Sequence, residues 1–194
     1  MKIAPLVIAS FALGLGSSAF AQPPAAAAPP ASVGAALDRE ISLAERQLIG
    51  VVEAMPEAKF NFTPESLDIK GSAFKGVYTF AGLVKHLAAA NYFLWGGAGG
   101  DPIPANITGV KGPEGMTSRA EIIQLLKDSF ASGHHAAAAL TPANSLDMVS
   151  GPGGQKVPRV FGLSFGVAHA YDEYGQMVEY LRMCGIVPPA SAPR

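Results

Sequence analysis

Cysteine is nearly absent from this chain: Cys184 is the only one. An internal disulfide is therefore impossible, and stability must come from a packed core, which about 150 residues can build. Charge is also scarce, at 15% of residues, and balanced to a formal net charge of −1. No basic run is present to track phosphates, so a nucleic-acid partner is not expected. No C-x-x-C-H occurs, which excludes covalently attached haem. Long apolar runs are missing outside the first 21 residues, and no segment alternates in the manner of a strand for a useful length.

The N-terminus does carry a short apolar run. Lys2 precedes Ile3–Leu15, and Ala19-Phe20-Ala21 offers the small-x-small pattern that a signal peptidase reads. The run is too short for a membrane span, so residues 1–21 are expected to be a cleaved secretory signal, with an uncleaved anchor as the alternative. The only cysteine lies far from the cleavage site, which argues against a lipoprotein. Export to the periplasm or the medium is the expected localisation, with no membrane span left after cleavage. Loss of those residues removes one Lys and no acid, leaving 13 basic against 15 acidic side chains. Residues 22–32 (QPPAAAAPPAS) are too rich in proline and alanine to form a core and are expected to be a disordered spacer. Residues 188–194 read as a short tail, leaving 33–187 as one domain.

Within that domain the apolar spacing predicts four helices. The first spans about Val33–Met55, with Leu37, Ile41, Ala44, Leu48 and Val51 on one face and Pro56 as its stop. An ordered loop over 56–78 follows. The second starts after Thr79, a good N-cap, and reaches Trp95, where GGAGG at 96–100 is expected to end it. The third opens at Ser118 with Glu121 at capping-box spacing and runs to about Leu140. The fourth begins near Pro158, continues to about Met183, and is stopped by Gly185. Two of the connections are long. The expected fold class is all-α, a four-helix bundle with long crossover connections.

Histidine is the residue that carries chemistry here. On the fourth helix His169 and Glu173 are four apart, so they share a face, about 40° apart. Gln176 and Tyr180 continue that stripe within about 20° of His169. The stripe runs beside the apolar face of Leu163, Val167, Tyr174 and Leu181, which suits the rim of a pocket; Phe165 would supply an aromatic wall. On the second helix His86 falls on the inward side, among Leu83, Ala90 and Phe93. A lone inward histidine is commonly a core residue. Two imidazoles and a carboxylate from separate helices can instead hold Zn²⁺ or another divalent ion with a position left open for water. The competing reading is a polar network in which Glu173 only hydrogen-bonds the imidazoles. His134 and His135 are adjacent, so they point about 100° apart and cannot share one site; both are expected at the surface. Tyr92 and Trp95 fall on faces away from His86 and are expected to pack against loops. Asp172 is expected in solvent, and Cys184 as a packed residue without a basic neighbour other than Arg182.

The string HAYDEYGQMVEYLRMCGIVPPAS, from His169 to Ser191, resembles the last helix of the DinB superfamily, with its histidine, Y-G-Q, Y-L-R and G-I-V-P-P ending. FAGLVKHLAAANYFL, from Phe80 to Leu94, is similar to that family's second helix, and Met55-Pro-Glu-Ala-Lys-Phe with Phe62-Thr-Pro to the loop after its first. The resemblance covers about 33–191 and implies a DinB-like bundle whose divalent metal ion is held by three histidines. His86 and His169 match two of those positions. Glu173 stands at the third, which either makes a two-histidine, one-carboxylate set or marks a degenerate site. Zinc is the first expectation for the ion, with nickel or iron as alternatives. The resemblance further implies metal-activated thiol transfer or hydrolysis on a small-molecule substrate, with Gln176, Tyr180 and Phe165 as substrate contacts. The alternative is a non-catalytic binding or stress-associated bundle. A homodimer is the assembly to be tested.

Overall fold

The computed structural model describes residues 31–193. The expected signal at 1–21 and the spacer over 22–30 lie outside them. Helix α1 spans Val33–Ala54, and the Ser32 hydroxyl caps it by accepting the Ala35 N–H at 3.0 Å. Ser32 thus belongs to the helix rather than to the spacer. The loop after α1 turns twice in short 3-10 segments, Glu57–Lys59 and Pro64–Leu67. It then closes on the start of α2, which spans Phe80–Asn91. There the Phe62 and Phe60 carbonyls accept the N–H groups of Phe80 and Ala81, and the Thr79 hydroxyl accepts that of Gly82. The unpaired donors of a helix start are satisfied by the loop that delivers it.

The sequence expectation fails at the other end of α2. GGAGG does not stop the helix at Trp95. A wide π turn over Tyr92–Gly96 leads into a further turn, Gly97–Gly99, and only Gly100, in the left-handed region at φ 84°, ends it. A π turn takes in an extra residue, so the face presented beyond it departs from the 3.6-residue register. That shift explains why Trp95 is wholly buried in the core instead of lying under a loop; Tyr92, at the start of the turn, is buried as well. The indole N–H donates to the Leu163 carbonyl at 3.2 Å. Its ring fills a slot between Gly133 and Gly166, where a Cβ on either glycine would collide with it.

Helix α3 spans Arg119–Ala138, with the Ser118 hydroxyl as its cap. The next connection holds a small antiparallel hairpin, β1 (Met148–Ser150) and β2 (Lys156–Pro158), with Val149 opposite Val157. Three-residue strands around a glycine turn are too short for alternation to reveal. Helix α4 spans Arg159–Met183, with Pro158 just before its first residue, its first N–H groups accepted by the Asp147 and Ser145 carbonyls, and Gly185 at φ 73° closing it. Beyond it the chain does not trail away: Pro188 is buried, and Pro189 sits against Gly50 of α1.

The architecture is the expected all-α bundle. Helices α1 and α2 each pack on both α3 and α4, so α1 faces α2 across one diagonal and α3 faces α4 across the other. Ile41, Leu48, Leu87, Leu126, Leu163 and Met177 meet at the centre. The hairpin packs against the glycine turn after α2 and the start of α4, where the Arg159 guanidinium donates to the Ala98 carbonyl. Among the described residues, no helix is long and apolar enough to cross a membrane.

Candidate metal centre

The α2–α4 contact brings His86, His169 and Glu173 together. One ligating atom from each lies within 4.8 Å of the other two. The two imidazoles meet edge to face with centroids 5.2 Å apart. Glu173 Oε1 is 3.5 Å from His86 Nε2 and 4.0 Å from His169 Nε2. Charge-assisted N–H···O bonds are shorter, about 2.7–2.9 Å, so these spacings do not make the hydrogen-bonded network that the competing reading requires.

The surroundings of each group decide what the cluster can do. The Val110 carbonyl accepts a hydrogen bond from His86 Nδ1 at 2.6 Å, so Nε2 is the nitrogen that faces Glu173. A second, non-ligating nitrogen held by a carbonyl is the common arrangement for metal-binding histidines. Tyr78 stacks on the same ring at 5.4 Å. His169 Nε2 and Glu173 Oε2 are buried and have no hydrogen-bond partner. Burial, and then the neighbouring His86, hold the His169 imidazole below its ordinary pKa. Burial, followed by the charge of Asp172, pushes the Glu173 carboxyl up to about 7. A buried carboxylate without a cation is costly, and unpaired buried nitrogens add to that cost. A divalent cation would satisfy all three groups at once.

The donor set fits such an ion. Two neutral imidazole nitrogens and one carboxylate oxygen suit zinc, whose bonds of about 2.0–2.2 Å place tetrahedral ligand atoms roughly 3.3 Å apart. The observed spacings lie within a side-chain adjustment of that value. The cluster can therefore hold a metal ion.

A cavity of about 470 Å³ opens beside the imidazoles. Helix α2 contributes His86 to its wall, the π turn after it Phe93 and Leu94, the α2–α3 crossover Ile103 and Val110, the end of β1 Ser150, and α4 Phe165 and His169. Phe165 thus lies in the same cavity as the two histidines. Gln176 and Tyr180 do not: they line a separate depression with Tyr78 and Met183. The Gln176 amide donates to Asp172, and the Tyr180 hydroxyl donates to the Tyr78 carbonyl at 3.0 Å. Tyr180 consequently supports the residue that stacks on His86, without reaching the cavity itself. The Val110 carbonyl, Tyr78 and the hairpin turn were invisible in the sequence, because a backbone oxygen and two loop positions carry no side-chain signature.

The other histidines lie elsewhere and point in different directions, as adjacency requires. His134 is only half-buried and bridges α3 to α1, with Nδ1 2.6 Å from Asp38 and Nε2 3.2 Å from Glu45. Burial lowers its pKa, but hydrogen bonds and charge from both acids outweigh burial and leave it raised. His135 is exposed and pairs with Asp101 at 2.7 Å, which also accepts from the Ser132 hydroxyl. Asp172 is exposed, as expected. Cys184 is partly buried, with its thiol pushed up by burial; Lys59, not Arg182, reaches its carbonyl at 2.8 Å.

With this geometry in view, comparison with known proteins is informative. The family model of the DinB superfamily matches residues 40–177, which span α1 through most of α4 and include all three members of the cluster. The chain belongs to the DinB superfamily. No curated protein matches it.

Proposed function

We propose that this DinB-superfamily member is an exported, divalent-metal-dependent enzyme, with His86, His169 and Glu173 as the ligands and zinc as the ion. Export rests on the signal pattern at 1–21 and on the domain limits read from the sequence. The observation that carries the metal reading is the pair of buried atoms without partners, His169 Nε2 and Glu173 Oε2, facing a histidine whose other nitrogen is already held. A bound zinc ion would supply Lewis-acid polarisation and a water or thiol of lowered pKa.

The residues of the chain do the rest. The Val110 carbonyl and the Tyr78 ring fix the plane and tautomer of His86. Glu173 brings one negative charge, which leaves the loaded centre one unit less positive than a three-histidine set. Phe93, Leu94 and Phe165 give one side of the site an apolar wall. Hydrolysis of a small molecule is the favoured reaction, because low-molecular-weight thiol cofactors are mainly cytosolic; metal-activated thiol transfer is the second.

Metal analysis of the purified protein tests the reading. After dialysis against zinc, the protein should carry one ion per chain, and replacement of His86, His169 or Glu173 by Ala should remove it. Zinc-dependent turnover of a panel of neutral esters should vanish in the same variants. A metal-free protein whose melting is indifferent to zinc would instead support the non-catalytic bundle.

A further inference from the structure

The cavity beside the centre has a chemical character that the metal reading does not require. Its walls are apolar along α2, the crossover and α4, where Phe93, Leu94, Ile103, Val110 and Phe165 contribute. The hairpin adds Ser150 from the end of β1 and three glycines from its turn. Among the described residues that line it there is no Lys, Arg, Asp or Glu, and the polar side chains are Ser150 and the two imidazoles. The imidazoles come from α2 and α4, so the polarity is concentrated where those helices meet.

We infer that this cavity selects a small, uncharged, largely apolar ligand, with any donor atom directed at the histidine end. The direction of the donor rests on the metal reading; the exclusion of charge does not. In the metal-free protein a carboxylate, sulfonate or ammonium group taken into these walls would lose its hydration and find no counter-charge. A molecule rich in hydroxyls would fare little better, since Ser150 is the lone hydroxyl in the lining. An aromatic or branched aliphatic body meets matching surface. At about 470 Å³ the cavity accepts a body of two or three rings. The rim continues the theme: Ile103 and Phe165 are each 39% exposed, and Phe165 stacks on Phe161 at 5.6 Å, so the entrance is apolar as well.

A matched pair of probes tests this. N-phenyl-1-naphthylamine is neutral, and 8-anilinonaphthalene-1-sulfonate has the same skeleton with one fixed negative charge. Fluorescence titration of the metal-free protein should show one site per chain for the neutral probe, with affinity about 30-fold or more above that for the sulfonate. The variant Ile103→Lys, at a half-exposed rim position that tolerates a long side chain, should narrow or reverse that ratio while leaving the melting temperature unchanged. Equal or tighter binding of the sulfonate to the metal-free native protein would overturn the inference. So would a ratio that Ile103→Lys leaves untouched, because the probe would then be bound elsewhere. If the metal-free protein prefers the neutral probe but no zinc is retained on loading, the metal reading fails alone; if zinc is retained on loading but the metal-free protein shows no probe preference, this inference fails alone.

Discussion

Among the described residues, the clusters around His134 and around His169 both join histidine to carboxylate, and they differ in whether their polar atoms have partners. Around His134 both ring nitrogens are engaged, by Asp38 at 2.6 Å and Glu45 at 3.2 Å, and solvent reaches the group. Around His169 and Glu173 two buried atoms have none. The residue types are nearly the same. A count of them, or of their spacing along a helix, would rank the two together. Partner accounting separates a pH-sensitive clamp between α1 and α3 from a site that a cation would complete.

That contrast can be broken most severely by supplying zinc. At about a hundred times its dissociation constant, a ligand that binds only the folded state stabilises it by ~2.7 kcal/mol. For a domain of this size that corresponds to roughly 5–10 °C in melting temperature. The native protein should show this shift in calorimetry, Glu173→Ala and His86→Ala should lose it, and His134→Ala should keep it. A shift lost in His134→Ala would place the ion in the wrong cluster.

A smaller effect probes the support behind His86. Gly112 has φ 75°, and a Cβ there would lie 2.7 Å from the Lys85 carbonyl. Lys85 in turn donates to the Pro113 and Met116 carbonyls, which pins the crossover to α2. Gly112→Ala should therefore displace the segment that presents Val110 to His86. Loss of such a supporting contact typically weakens metal affinity ~10–100-fold. Competition with a zinc chelator would measure it, and Gly115→Ala, where a Cβ meets open space, should be neutral.

The smallest effect belongs to the clamp. His134 has a raised folded pKa, so its contribution is fully present below its unfolded value of about 6.5 and fades as pH rises through the higher folded value. His134→Gln should cost about 0.5–1 kcal/mol near pH 5.5, screened by salt, and next to nothing at pH 9. Denaturant melts across that range, with and without added salt, would check it; a cost that grows with pH would contradict the pairing.

The sequence made the helices and the three-residue cluster legible for a shared reason: both are periodic. Ile41, Ala44 and Leu48 announce α1, and His169 and Glu173 announce a common face. Ser118 and Thr79 mark the helix starts, and both caps are found. What escaped was whatever broke the period. The π turn at Tyr92–Gly96 rotated Trp95 into the core and carried α2 through its glycines. The hairpin is too short to alternate. The cavity walls come from two helices, the π turn, the crossover and the hairpin, so no local window contains them. Gln176 and Tyr180 share a stripe with His169 in projection, but they lie two and three turns further along α4, and the Tyr78 loop separates them from the histidines.

The most direct test of the central claim is anomalous diffraction at the zinc edge from crystals soaked in zinc. The account predicts one strong peak about 2.0–2.2 Å from His86 Nε2, His169 Nε2 and a Glu173 oxygen. A peak at His134, Asp38 and Glu45 with none between α2 and α4, or no ordered peak at all, would contradict it.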